Sequence, residues 1–290
     1  WAGSLADFVA VRSEVSVSQV GWSAGVSRAD LVDRAVVVAS GRGELVEGLR
    51  ALAAGNQHPC VLEPTHVTSQ PRVALTIGTG QPILGVLQGI YGPDSGVTEF
   101  VDQIAEATDF PVALLIDEPS AHAGSDLDSA TRQLGEYVAS VALGLWWRAR
   151  GMEPELIVGG GMGVFAAAAL AGVYAPIDGA KIVQALVDAS GSDPSDLSEL
   201  AASIAWEPAL LDVLNADGKI VDTAALSSPQ KWADIAQSAV TATDSSEELA
   251  GAAAELVSRG IDAVIDLGRG AWLSSLEVHG YTGLRTGTID

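Results

Sequence analysis

Cysteine, histidine and basic residues are all scarce in this chain of 290 residues. Cys60 is the only cysteine, which excludes a disulfide within the chain and a thiolate metal cage. The four histidines, His58, His66, His122 and His279, lack metal-ligand spacing, so no metal site is expected, and no cofactor either. Only 15 Lys and Arg stand against 37 Asp and Glu, a formal net charge of −22. A nucleic-acid partner is excluded on that balance, because a phosphate backbone needs a basic surface. The acidity reads first as solubility. No uninterrupted apolar run reaches the roughly eighteen residues that a membrane span needs. A start Met and a signal-peptide pattern are also lacking. Trp1 therefore reads as a cut inside a longer polypeptide, and the expected location is a reducing cytoplasm.

Apolar side chains, by contrast, are plentiful. They make up 48% of the chain, with a mean hydropathy of +0.29, enough for a sizeable core. Aromatics contribute only 5%, so Ala and Gly carry much of that content. Small residues of this kind suit helices packed closely on strands. The pattern along the chain agrees. Ala35–Val38 reads as a strand, and Glu44–Ala53 as an amphipathic helix stopped before Gly55. Asn56–Pro71, with three prolines, reads as a wrap-around linker. Val73–Ile77 then reads as a strand ending in Gly78-Thr79-Gly80. A helix is expected over Val97–Ala107, a buried strand over Val112–Ile116, and a long helix over Ser129–Arg150. That long helix carries Leu134, Tyr137, Val138, Val141, Leu145 and Trp146 on one face.

Leu156–Val158 reads as a strand, followed by Gly159-Gly160-Gly161-Met162-Gly163 and the Ala-rich helix Val164–Ala171. Another helix is expected over Asp178–Ala189. Leu210–Asp222 reads as a hairpin turning at Asn215–Gly218. A helix over Ser246–Arg259, stopped by Gly260, precedes a last strand at Ala263–Leu267, and the tail from Ser274 reads as a linker. Alternating strands and helices imply an α/β fold with a mostly parallel sheet covered on both faces.

The segment from Leu156 to Val164 carries the chemistry. A strand, a tight glycine turn and a small-residue helix form the frame of a nucleophile elbow, which holds one side chain over a helix N-terminus. Taken alone, a glycine-rich turn after a strand is a weak signal, which close packing of helix on strand or a phosphate cradle explains as well. Here the centre of the turn is Gly161 and the residue before it is Gly160, and neither has a side chain.

The stretch from Trp146 to Gly172 resembles the acyltransferase domains of modular polyketide synthases. Their pattern is a Trp on a helix, a turn of the type G-x-x-P-D, a strand, G-H-S-x-G-E, and an Ala-rich helix ending in A-G. Val20–Val38 and Glu44–Gly55 are similar to the linker that joins ketosynthase to acyltransferase in that family. Asp217–Val221, Trp232 and Ala263–Gly268 resemble its later hairpin, Tyr-Trp segment and closing strand. The resemblance implies three parts: a ketosynthase-to-acyltransferase linker domain over 1–70, a truncated acyltransferase-like core over 71–273, and a post-acyltransferase linker over 274–290.

It also implies a ping-pong transfer of an acyl group, commonly malonyl or methylmalonyl, from coenzyme A to an acyl carrier protein. The elbow serine carries the acyl group, a histidine is its base, backbone amides with a P-G-Q-G turn hold the oxyanion, and an arginine pairs with the malonyl carboxylate. In this chain the serine position is Gly161 and the histidine before it is Gly160. The degenerate elbow is Gly159, Gly160, Gly161, Met162 and Gly163. The oxyanion turn appears as Gly78, Thr79, Gly80 and Gln81. The arginine position falls on or beside Leu186, and Lys181 is not promoted to that role. Only about twenty residues fill the gap before the hairpin, too few for the ferredoxin-like βαβ-type unit that carries the family's histidine.

The resulting expectation is that the chain is not an enzyme but an inactive pseudo-acyltransferase that scaffolds the synthase. Its expected partners are the ketosynthase and acyl carrier protein domains of the same synthase, with a trans-acting acyltransferase as a further candidate. The excised chain is expected to be monomeric. Two alternatives stand beside this. One is residual acyl transfer through another nucleophile, such as Ser190 or Cys60. The other is a module that binds coenzyme A or pantetheine without chemistry.

Overall fold

The computed structural model describes residues 1–27, 31–66, 69–78, 83–122, 127–188, 194–241, 246–267 and 285–287. The chain divides into two compact units, Trp1–Gln70 and Pro71–Asp290.

In the first unit, Leu45, Val46 and Leu49 recur at helical spacing and are buried on α3 (Arg42–Ala54). They pack with Ala6 and Val9 of α1 (Ala2–Val11) and Val20 of α2 (Val17–Val26). Gly55 stops α3 with a left-handed φ of 70°, and the next N–H returns to Ala51 O at 2.9 Å. Arg42 ties α3 to the end of α1. Its guanidinium donates to the carbonyls of Val9 (2.6 Å), Arg12 (2.7 Å), Ser13 (3.0 Å) and Val15. Helix-end carbonyls lack intrahelical partners, and one planar fork of donors satisfies several at once. The segment expected as a linker holds a strand, β2 (Val61–His66), paired antiparallel with β1 (Asp33–Val37). The three prolines hid it because β2 is defined by its partner across the sheet rather than by its own propensity.

In the second unit, five parallel strands run in the order β5-β4-β3-β6-β7. These are β3 (Val73–Ile77), β4 (Leu156–Gly159), β5 (Asp212–Asn215), β6 (Ala263–Asp266) and β7 (Arg285–Gly287). Side chains alternate between faces, as the strand period of two demands. Leu75, Ile77, Ile157 and Val213 enter the main core. Ala74, Leu156, Val158, Leu214 and Val264 face Ala252, Ala253 and Leu256 of α11 (Ser246–Ser258).

On the main-core side lie α4 (Ser95–Thr108), α6 (Ser129–Ala149), α7 (Gly163–Leu170) and α8 (Pro176–Val187). Every residue of α7 is buried, which is why its sequence has no polar face. Asn215 to Gly218 turn the chain back as expected, and Val221 N–H meets Val213 O at 2.8 Å. Between α8 and β5 the described residues form one helix, α9 (Pro194–Ser203), and no strand.

Two further local expectations fail. Val112–Ile116 is not a strand, because α5 (Ala113–Ile116) winds there. Pro111 opens that turn, and Leu114 N–H bonds to its carbonyl at 3.0 Å. The strand at Ala263 is not the last, since β7 pairs with it from within the segment expected as a linker.

The approach of α7 to the sheet is close. A Cβ on Gly163 would sit 2.6 Å from Ile77 O, and one on Gly159 would sit 2.7 Å from the backbone of Val164. Gly163→Ala should destabilise the fold by about 2–3 kcal/mol through overpacking. Gly43→Ala, on the exposed side of α3 with open space around it, should be neutral or stabilising by up to about 1 kcal/mol. Urea unfolding of both variants checks the contrast.

Acid should also act at a defined place. Asp94 caps α4 by accepting the Val97 N–H at 3.1 Å, and pairs with Arg150 at 3.0 Å. The Arg150 guanidinium also stacks over the Trp146 ring at 3.9 Å. The Val97 N–H, and after it Arg150, hold the Asp94 carboxyl below the usual carboxylate range. A depressed carboxylate stabilises the fold above its unfolded pKa and loses that effect as pH falls through the folded value. The stability difference between the parent and Asp94→Asn should therefore be present at about pH 7 and shrink by about pH 3. Denaturant unfolding at both pH values measures it.

Candidate functional site

Strand β4 ends at Gly159, and the chain crosses to α7 through Gly160, Gly161 and Met162. Gly160 N–H donates to Ile77 O at 2.9 Å, fixing the turn against the end of β3. Gly161 has a φ of 47°, which glycine adopts without cost and a side chain resists. The turn then tightens, with Gly163 N–H on Gly160 O at 2.7 Å and Val164 N–H on Gly161 O at 3.2 Å. Among the described residues, no acceptor meets the N–H of Gly161 or of Met162. Two backbone donors thus stand at the N-terminus of a buried helix, where the helix dipole favours negative charge.

Beside the turn lies a cavity of about 10 Å³, at most one water's worth of space. Gly78, at the end of β3, lines it together with Met162 and Gly163. The opposite wall is α6, which contributes Gln133, Glu136, Tyr137 and Ser140. Glu136 and Ser140 are only 8% and 6% exposed and lie one helical turn apart. The Tyr137 hydroxyl donates to Pro176 O at 2.6 Å, and burial pushes its pKa upward. Tyr174 behaves alike, donating to Phe165 O at 2.8 Å and raised by burial. Neither phenol is an acid or base near neutral pH.

Other residues singled out from the sequence scatter. Gly159, Gly160, Gly161, Met162, Gly163 and Gly78 come together at the elbow. Thr79, Gly80, Gln81, Ser190 and His279 lie outside the described residues. Leu186 is half-buried on α8 and does not line the cavity. Lys181 pairs with Asp178 at 3.0 Å. His122 bonds Asp117 at 3.2 Å and does not line the elbow cavity, and His66, in the first unit, bonds Asp33 at 2.7 Å. Cys60 lies in the first unit, with its thiol on Glu44 Oε1 at 3.3 Å. Burial, and then Glu44, push that thiol's pKa up, which leaves it a poor nucleophile. No group of three or more His, Cys, Asp or Glu among the described residues could hold a metal.

Glu136 and Ser140 were missed because they sit within Leu134–Gly144, a run that reads as the apolar centre of a helix. The signal was there. A carboxylate and a hydroxyl at i and i+4 inside a buried stretch need a reason.

No protein-family model matches the chain. Spectinabilin polyketide synthase system protein NorA of Streptomyces orinoci is 32% identical over 187 residues, 63% of this chain and 10% of that protein. NorC of the same system is 34% identical over 164 residues, 54% of this chain and 7% of that protein. The chain thus spans a tenth or less of the length of these relatives. Among solved structures, the acyl transferase domain of SpnD in complex with 2-(pent-4-yn-1-yl)malonyl superposes with a TM-score of 0.74 at 18% identity. That match covers 99% of this chain and 86% of the domain. The malonyl-CoA:acyl carrier protein transacylase of Xanthomonas oryzae pv. oryzae gives a TM-score of 0.56 at 16% identity, covering 76% of this chain and 95% of that enzyme.

These findings overturn the expectation that the chain is not an enzyme. The relatives are synthases, and the structural neighbours are acyltransferase domains and a transacylase. That expectation rested on the family side chains missing at Gly160, Gly161 and Leu186 and on the short segment before the hairpin, all of them absences at single places in the domain. Glycine at Gly161 removes a side chain from the turn, but it leaves the backbone donors in place and says nothing of hydroxyls on neighbouring elements. Homologues of this chain are modular polyketide synthases, and the chain has the fold of their acyltransferase domains.

Proposed function

We propose that this domain moves acyl groups between thioesters in polyketide biosynthesis, taking them from coenzyme A to the pantetheine thiol of an acyl carrier protein. The observation that carries this reading is the elbow, where the N–H groups of Gly161 and Met162, without an acceptor among the described residues, meet the N-terminus of α7. Exchange of one thioester for another leaves the overall energy nearly unchanged. It therefore needs placement of the carbonyl and support for the oxyanion that forms on it. Backbone donors in a site closed to water supply that support, each worth about 3–4 kcal/mol at the transition state. In this reading 71–273 is the acyltransferase-like core, 1–70 a linker domain and 274–290 a further linker, all within a cytoplasmic synthase.

A scaffolding role beside the chemistry is favoured by the surface of the first unit. Trp22, Val36, Val38 and Leu62 are all more than half exposed there, a concentration of apolar surface unusual for a free face. A neighbouring synthase domain, such as a ketosynthase, is the partner this reading assigns.

The test of transfer is direct. The chain is incubated with malonyl-coenzyme A and a phosphopantetheinylated carrier protein, and carrier mass is followed over time. Loading at least about a hundredfold faster than in the chain-free control is expected. Loading at the control rate, with methylmalonyl- and acetyl-coenzyme A as well, would remove the transfer reading.

A further inference from the structure

We propose that a cleft beside the outermost strand β5 docks a partner protein, through a segment that sets an apolar side chain next to a lysine or arginine. The cleft has a volume of about 520 Å³. The chain on either side of β5 forms its walls. One wall is the run 206–211, held to the chain just after α7 by Glu207 N–H on Val173 O and Leu210 N–H on Ala171 O, both at 2.8 Å. The other is the run 220–224, the return of the hairpin, fixed by Val221 N–H on Val213 O at 2.8 Å. Val173, Trp206, Leu211 and Val221 give the cleft an apolar lining. Each wall also leaves a large apolar side chain in water, Leu210 at 78% exposure and Ile220 at 61%. Apolar surface gathered around a concave site marks a contact for another molecule.

Charge selects the partner. Two carboxylates line the cleft, Glu207 and Asp212, and no lysine or arginine does. Arg259 already pairs with Asp212 at 2.6 Å. Glu207 is exposed and meets no cation among the described residues. Beside it, the Trp206 N–H donates to Ala201 O at 2.9 Å, so the indole offers its ring and not its donor. An aromatic ring next to an unmet carboxylate fits a cation on an apolar stem, the form of both lysine and arginine. The surrounding unit acts in the same direction, with thirty Asp and Glu against ten Lys and Arg from 71 to 290. That field draws a basic segment in, and it repels a second copy of this chain, whose net charge is also −22. Glu207 then meets the cation, and Leu210 and Ile220 cover the apolar side chain beside it.

The experiment follows binding of a dye-labelled, flexible peptide repeating Leu-Lys-Ser to the full chain by fluorescence anisotropy, with hydrogen–deuterium exchange to place it. The same peptide with glutamate for lysine is the charge control. Glu207→Lys removes the unmet carboxylate, and Leu210→Ser combined with Ile220→Ser removes the exposed apolar pair. All three side chains are exposed, so these variants should fold, and circular dichroism confirms it. Glu99→Lys, exposed on α4 and outside the cleft, makes the same change in net charge as Glu207→Lys. The expected result is saturable binding of the lysine peptide that weakens at least about tenfold in both cleft variants and stays within about twofold in Glu99→Lys. Exchange should slow at 206–211 and 220–224. Absence of saturable binding, unchanged binding in either cleft variant, equal weakening in Glu99→Lys, or equal binding of the glutamate peptide would each overturn the proposal. The transfer reading stands or falls separately, by carrier loading.

Discussion

The second unit is organised by the contact between α7 and the ends of β3 and β4. There the backbone of Gly163 packs on Ile77 O, and Gly159 packs on Val164, with no space for a Cβ at either glycine. That approach lets all eight residues of α7 be buried, and the apolar walls around it follow. Tyr174 reaches back to Phe165 O, and Arg148 reaches Leu170 O at 2.7 Å, so both turns of the helix are also tied from outside. α6 then lies against α7 along its buried centre, which brings Glu136 and Ser140 to the elbow. The site follows from the packing, which sets the N–H groups of Gly161 and Met162, without an acceptor among the described residues, at the start of this buried helix.

An elbow without a side chain can be read in two ways. Taken as a residue, Gly161 lacks the group that would attack a thioester. Taken as a frame, it keeps a left-handed turn and two amides at a helix N-terminus that meet no acceptor among the described residues, the features that stabilise a developing oxyanion.

Where one element's own pattern decides its structure, the sequence was legible. The helix ending at Gly55, the long helix from Ser129, and the strand, glycine turn and helix from Leu156 were all expected close to where they lie. Where a neighbour decides, it was not. β2 and β7 are short strands that exist through pairing with β1 and β6. Val112–Ile116 looked like a strand because β-branched and apolar residues run together, but Pro111 starts a helical turn there. The glycine cluster of the site could be read from its spacing. The facing wall could not, because Glu136 and Ser140 only become notable once α6 is known to be buried at that height.

The central claim is that an acyl thioester sits at the elbow, against the amides of Gly161 and Met162. Hydrogen–deuterium exchange of the peptide spanning Leu156–Leu170, with and without saturating malonyl-coenzyme A, reads those amides directly. Slower exchange confined to the start of that peptide and to the Gln133–Ser140 wall is the predicted result. Unchanged exchange at the elbow, or protection found only elsewhere in the chain, would contradict it.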